Sequence, residues 1–167
     1  MRQINIQYFE TNYGELILGA FNDKLCLCDW RYRTRRTTVD NRISKGLNAS
    51  YIEQDDQVLK QTRQQLEEYF AGARQHFDIP LETVGTNFQR MVWSKLLEIP
   101  YGETSSYLKL AESIGNVKAI RAAANANGAN ALSIFIPCHR IIGSDGKLVG
   151  YAGGMEAKER LLKLEAR

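Results

Sequence analysis

The run Ile136-Pro137-Cys138-His139-Arg140 puts a thiol directly before an imidazole and a guanidinium. A cysteine attacks as its thiolate, so it needs a base or a positive charge close by, and these neighbours supply one of each. Adjacent side chains on an extended chain point opposite ways. His139 therefore reaches the thiol through a bridging water, or because the chain turns. A Cys-His dipeptide alone is incidental in most proteins, so the surroundings must carry the argument. The other two thiols, Cys26 and Cys28, alternate with Leu25 and Leu27, which reads as burial in a sheet. Cys26-x-Cys28 offers two zinc ligands without a second pair, where a structural site needs four. No metal and no cofactor is expected. Three cysteines, an odd number, make no disulfide framework and read as free thiols of a reducing compartment.

Upstream of the thiol, residues 104–127 read as two short helices, Ser105–Ile114 and Val117–Asn127. Gly115 suits the left-handed end of the first, and Asn116 the cap of the second. Two helices joined through a glycine turn form a helix-turn-helix. The second carries one long cation, Arg121, among Ala122, Ala123 and Ala124. A reader of the major groove carries several long polar side chains. Small residues around one arginine suit close approach to the minor groove, with Arg121 as a wedge. A core helix with Arg121 merely exposed fits the same pattern.

The string Ile-Pro-Cys-His-Arg-Ile, preceded by Asn130 and this helix pair, resembles the active site of the O6-alkylguanine-DNA alkyltransferases. The resemblance runs from Thr86 to Glu165, about half the chain. It implies that Cys138 accepts an alkyl group from a flipped-out guanine in double-stranded DNA and keeps it, in one irreversible turnover, with O4-alkylthymine as a secondary candidate. It implies that His139 deprotonates the thiol through a water and that Glu165 orients His139. Tyr107 would help rotate the nucleotide and donate to the base. Arg121 would fill the gap left in the duplex, and Asn130 would brace the turn before the active site. The resemblance places Arg121, Tyr107, Ala122, Ala123 and Arg140 on DNA, and Tyr151, Ala152, Gly153, Ile141 and Ser133 around the guanine pocket. Ala152 stands where some members carry serine, and Ser133 where some carry proline. Two other readings compete. One is a helix-turn-helix regulator with a buried or redox thiol, and the other is a thiol hydrolase using Cys138 and His139.

The expected fold is an α/β domain over residues 1–82, a small antiparallel sheet with a helix, followed by a mainly helical domain over residues 83–167. The first would be the family's ribonuclease H-like supporting domain, and the second would bind DNA and carry the chemistry. Residues 3–8, 15–21 and 24–32 read as strands, with turns at Asn12-Tyr13-Gly14 and Asn22-Asp23. On the third strand Cys26, Cys28, Trp30 and Tyr32 share a face. Residues 33–50 read as a polar loop whose close-set Arg33, Arg35 and Arg36 allow a secondary phosphate contact. Asp55–Ala71 reads as a helix ended by Gly72, His76–Ile79 as a returning strand broken by Pro80, and Thr86 with Gln89 as a capping box. Phe88, Val92, Trp93, Leu96 and Leu97 then repeat at helical spacing.

The 167 residues are 44% hydrophobic and 25% charged, ordinary values for a globular protein. From Gly85 to Arg167 there are 11 Lys+Arg against 7 Asp+Glu, so this half is the better match to a polyanion. No run approaches a membrane span, and Met1 to Ile6 shows no signal-peptide pattern. A monomer is expected, in the cytoplasm and on the nucleoid if the source is a prokaryote.

Overall fold

Turn residues decide where the first half of the chain folds back. Asn22 and Asp23 both take positive φ, 51° and 61°, as a two-residue hairpin whose twist matches its strands requires. The computed structural model describes residues Arg2–Arg167, with Met1 outside them, and divides into two compact units after Gly85. In the first unit β1 (Arg2–Thr11), β2 (Gly14–Phe21) and β3 (Lys24–Trp30) form an antiparallel meander. Two elements then stand where a loop was expected. These are α1 (Arg36–Leu47) and β4 (Ala49–Glu53), the latter pairing parallel to β1 and giving the order β3-β2-β1-β4. The small α/β unit is thus a mixed sheet with two helices rather than an antiparallel sheet with one. α1 buries Val39, Ile43 and Leu47 at four-residue spacing, a stripe thinned by its polar neighbours.

α2 (Gln57–Phe70) follows the expected stripe. Asp56 caps it by accepting from the Leu59 amide at 2.8 Å, and Gly72 turns left-handed after its end at φ 77°. Leu25 to Trp30 is buried at every position, so both sheet faces are covered there. Trp30 ends the strand, and Tyr32, expected on the cysteine face, is 76% exposed. Residues 76–79 form no strand. The returning chain meets β3 only through the bridge of Leu81 to Leu25. Arg33 and Arg36 turn inward onto fully buried Asp29, each at 3.2 Å, so these two are engaged inside the unit.

The second unit begins with the capping box. The Gln89 amide donates to Thr86 Oγ1 at 3.1 Å, and the Thr86 amide donates to Gln89 Oε1 at 3.0 Å. α3 (Asn87–Leu96) buries Val92, Trp93 and Leu96, while Leu97 falls past its end and is 52% exposed. A two-residue strand β5 (Ser105–Ser106) leads into α4 (Tyr107–Ser113). Gly115 takes φ 81°, and Asn116 caps a 3-10 turn at Val117–Ala119 that runs into α5 (Ile120–Gly128). The expected second helix therefore starts as a 3-10 turn. Trp93 Nε1 donates to the Ala126 carbonyl at 2.8 Å and ties α3 to α5. β6 (Ile141–Ile142) pairs parallel to β5, and α6 (Met155–Glu165) closes the unit. Among the described residues no helix is long and apolar enough to cross a membrane.

Candidate active site and nucleic-acid interface

The segment from Asn130 to Ile136 is apolar but does not run as a strand. Asn130 is buried and clasps it at two points. Its Oδ1 accepts from the Leu132 amide at 3.0 Å, and its Nδ2 donates to the Ile136 carbonyl at 2.8 Å. A third bond, from the Ile136 amide to the Leu132 carbonyl at 2.8 Å, tightens the loop, in which Ile134 sits at φ 75°. Pro137 then opens a 3-10 turn, Cys138–Arg140, closed by the Arg140 amide on the Pro137 carbonyl at 3.0 Å. The chain turns at the thiol, which resolves how neighbouring side chains can serve one site.

His139 and Arg140 both end on Glu165, in the last turn of α6. His139 Nε2 lies 2.7 Å from Glu165 Oε2. Arg140 donates through Nε to Oε1 at 2.7 Å and through Nη2 to Oε2 at 3.0 Å. All three side chains are buried. A carboxylate has no proton to give, so His139 carries its hydrogen on Nε2 and its lone pair on Nδ1. Nδ1 is buried and makes no hydrogen bond to the protein. Burial pulls the His139 pKa below its usual value. The hydrogen bond and charge of Glu165 pull it back up, and Arg140 and Lys158 push it down. The imidazole is thus held neutral at neutral pH, the form that can take a proton.

Arg140 was expected on DNA. Its guanidinium is instead turned inward, with Nη1 on the Ile99 carbonyl at 2.7 Å and the Tyr101 ring centroid 5.7 Å away. A fork spent on Glu165 and a carbonyl has no free edge for phosphate. Ala123 is fully buried against the unit's core and also leaves the expected DNA face, whereas Arg121 and Ala122 are exposed near the start of α5. Tyr107 opens α4, and its hydroxyl donates to the Val149 carbonyl at 3.0 Å. Burial first, and then the nearby charge of Cys138, raise its pKa, so the phenol keeps its proton.

Of the expected pocket residues, Tyr151, Ala152 and Gly153 are partly exposed, and the Tyr151 ring meets His139 edge-on at 6.4 Å. Ser133 and Ile141 have no exposed surface. A groove of about 400 Å3 runs between the start of α4 and the turn after β6, lined among others by Ser105, Ser106, Lys109 and Ser144. The sequence reading missed Lys158, which is fully buried and donates to three carbonyls. It also missed Asn127, whose Nδ2 lies 3.5 Å from the Cys138 carbonyl. The signal for Lys158 was present. It falls on the buried face of α6, with Ala157, Leu161 and Leu164 and ahead of Glu165. Among the described residues no cluster of His, Cys, Asp or Glu could hold a metal.

Residues 87–167 match the family model for the DNA binding domain of 6-O-methylguanine DNA methyltransferase, and residues 4–83 match that for its ribonuclease-like domain. A methylated-DNA–protein-cysteine methyltransferase of Methanosarcina acetivorans is 41% identical over 157 residues, 94% of this chain and 95% of the relative. The constitutive one of Bacillus subtilis is 42% identical over 160 residues, 93% of this chain and 92% of its own. The crystal structure of Mycobacterium tuberculosis OGT in complex with DNA matches with a TM-score of 0.82 at 37% identity. That match covers 98% of this chain and 92% of the other.

Proposed function

The chain belongs to the 6-O-methylguanine DNA methyltransferase family, and we propose that it takes the alkyl group off O6 of guanine in duplex DNA and keeps it on Cys138. The observation that carries this reading is the buried turn in which Cys138 precedes a neutral His139 held by Glu165. In the proposed step a water relays the thiol proton to His139 Nδ1. The thiolate attacks the alkyl carbon in line, the S–C bond forms, and the C–O6 bond breaks with its electron pair leaving on the guanine. The Tyr107 hydroxyl gives its proton to the departing base, which ends neutral, and the proton held on His139 returns through water to Tyr107, so both side chains end as they began. Cys138, His139 and Tyr107 are the catalytic residues of this reading, and Glu165 and Asn130 are positioning residues.

The target oxygen lies inside the stack, so the nucleotide must swing out. Arg121, exposed on α5 beside small Ala122, is suited to fill the space it leaves. The hydroxyls of Ser105, Ser106 and Ser144, with Lys109, suit the phosphate backbone along the α4 groove. All these groups belong to one unit of one chain, which fits a monomer. A thioether is inert to water and to a neutral imidazole, so in this reading each molecule reacts once.

The test is an intact mass after incubation with a duplex carrying O6-methylguanine. One added methyl on Cys138, with no further substrate consumed, is the expected result. An unchanged mass in folded protein sinks the reading, and repeated turnover replaces it with a hydrolase. The same assay with O4-methylthymine sets the second substrate.

A further inference from the structure

α5 turns two faces in opposite directions. Ala123, Ala126 and Asn127 are buried, and Trp93 Nε1 bonds the Ala126 carbonyl on that side. Arg121, Asn125 and Gly128, at intervals of four and three, share the opposite, exposed face. The side chains of Arg121 and Asn125 make no hydrogen bond or ion pair among the described residues. Residues 117–128 include Lys118 and Arg121 and no acid, so this face matches a polyanion.

Gly128 adds an independent observation. It lies within α5 and outside the left-handed region, where glycine weakens a helix relative to alanine. A Cβ built there meets nothing within 4 Å, so neither the backbone conformation nor packing inside the unit requires the glycine. A bare backbone at that point lets an outside surface come close.

The minor groove displays little more than the difference between A·T and G·C. Purine N3 and pyrimidine O2 accept in both, and only guanine adds a donor, its N2 amine. An asparagine amide can accept from that N2–H while donating to N3, whereas arginine and lysine only donate. Four helical residues advance about 6 Å, and stacked bases lie roughly 3.4 Å apart. With Arg121 in the gap left by the nucleotide, Asn125 reaches a base pair one or two steps away.

We propose that Asn125 is a specificity-determining residue, whose amide reads the minor-groove edge of a base pair beside the lesion and favours guanine there. The proposal rests on the duplex-repair reading above and gives it a sequence context.

The test times methyl transfer to Cys138 by intact mass. The duplexes carry G·C, A·T or inosine·C at each of the two pairs on either side of O6-methylguanine. The parent should react about fivefold or more faster with G·C than with inosine·C at one of these positions, where the two differ only in the N2 amine. Asn125→Ala, an exposed change on a helix that alanine favours, should still transfer but lose that ratio. Comparing ratios between parent and variant cancels the flanking pair's own effect on extrusion. A parent indifferent to the amine at every position, or a ratio that survives in Asn125→Ala, overturns the proposal. If no duplex yields a methyl, the transfer reading falls instead. The same panel is then read as binding by Cys138→Ala, where the preference and its loss on adding Asn125→Ala are still expected, and equal binding throughout overturns the proposal.

Discussion

Cys26, Cys28 and Cys138 are all buried, at 2%, 0% and 4% exposure, yet they sit in opposite electrostatic surroundings. In the first unit burial pushes the Cys26 thiol up to about 12, and the charges of Glu82 and Asp56 add to that. Burial and Asp29 hold Cys28 well above its usual value. These are thiols kept protonated by an apolar sheet and neighbouring acids. Cys138 is just as enclosed, but the side chains that follow it on its turn are a neutral imidazole and a guanidinium, both joined to Glu165. In the proposed reading it is the sign of the charge brought in with the thiol, and not burial, that decides reactivity.

The sharpest way to break this contrast is to exchange the cysteines' fates. Cys138→Ala should accept no methyl at all from O6-methylguanine duplex by intact mass. Cys26→Ala and Cys28→Ala should react to the same yield as the parent, and a lost methyl in either would end the distinction. Next in size is the base. His139→Gln should slow transfer by about 10²–10⁴-fold, the usual contribution of a positioned proton acceptor. Rates measured across pH should fall on the acid side, where His139 becomes charged.

A smaller effect tests whether the unit reads DNA through α5. Arg121→Ala should slow transfer from duplex about tenfold or more while leaving reaction with free O6-methylguanine base nearly unchanged, because only the duplex needs its stack refilled. Equal slowing of both removes the wedge role. The smallest effects concern stability. Asn130→Ala leaves a backbone donor and acceptor unanswered and should cost about 1–3 kcal/mol in denaturant unfolding. His139 has a depressed pKa in the folded chain, so its contribution is complete above its unfolded value. That contribution is lost as pH falls from there through the folded value, at about 1.4 kcal/mol per unit of depression. Thermal unfolding should show this acid loss in the parent and not in His139→Gln.

Local chemistry was legible where one residue dictates one conformation. The Asn22-Asp23 hairpin, the Thr86–Gln89 box, Gly72 and Gly115 all stand where the sequence put them. α1 was lost because Val39, Ile43 and Leu47 are spread among charges that read as loop. β4 was lost because a parallel partner is set by a distant strand. At the site, the order of Cys138, His139 and Glu165 was readable only through resemblance. The inward turn of Arg140 and the burial of Ser133 follow from tertiary packing, which no spacing reports. Lys158 lay open to reading as a lysine on an apolar stripe, a position where burial must be compensated.

The loop before the nucleophile holds one further consequence. Ile134 is buried and branched at Cβ, yet its φ of 75° is a conformation that costs of order 1–3 kcal/mol outside glycine. Its burial offsets that cost only while the Asn130 clasp stays shut. The segment should then open all at once rather than fray. In amide hydrogen exchange, Leu132, Ile136 and Cys138 should become labile together, as one cooperative patch. Its opening rate would set how long the thiol keeps its place between encounters with DNA.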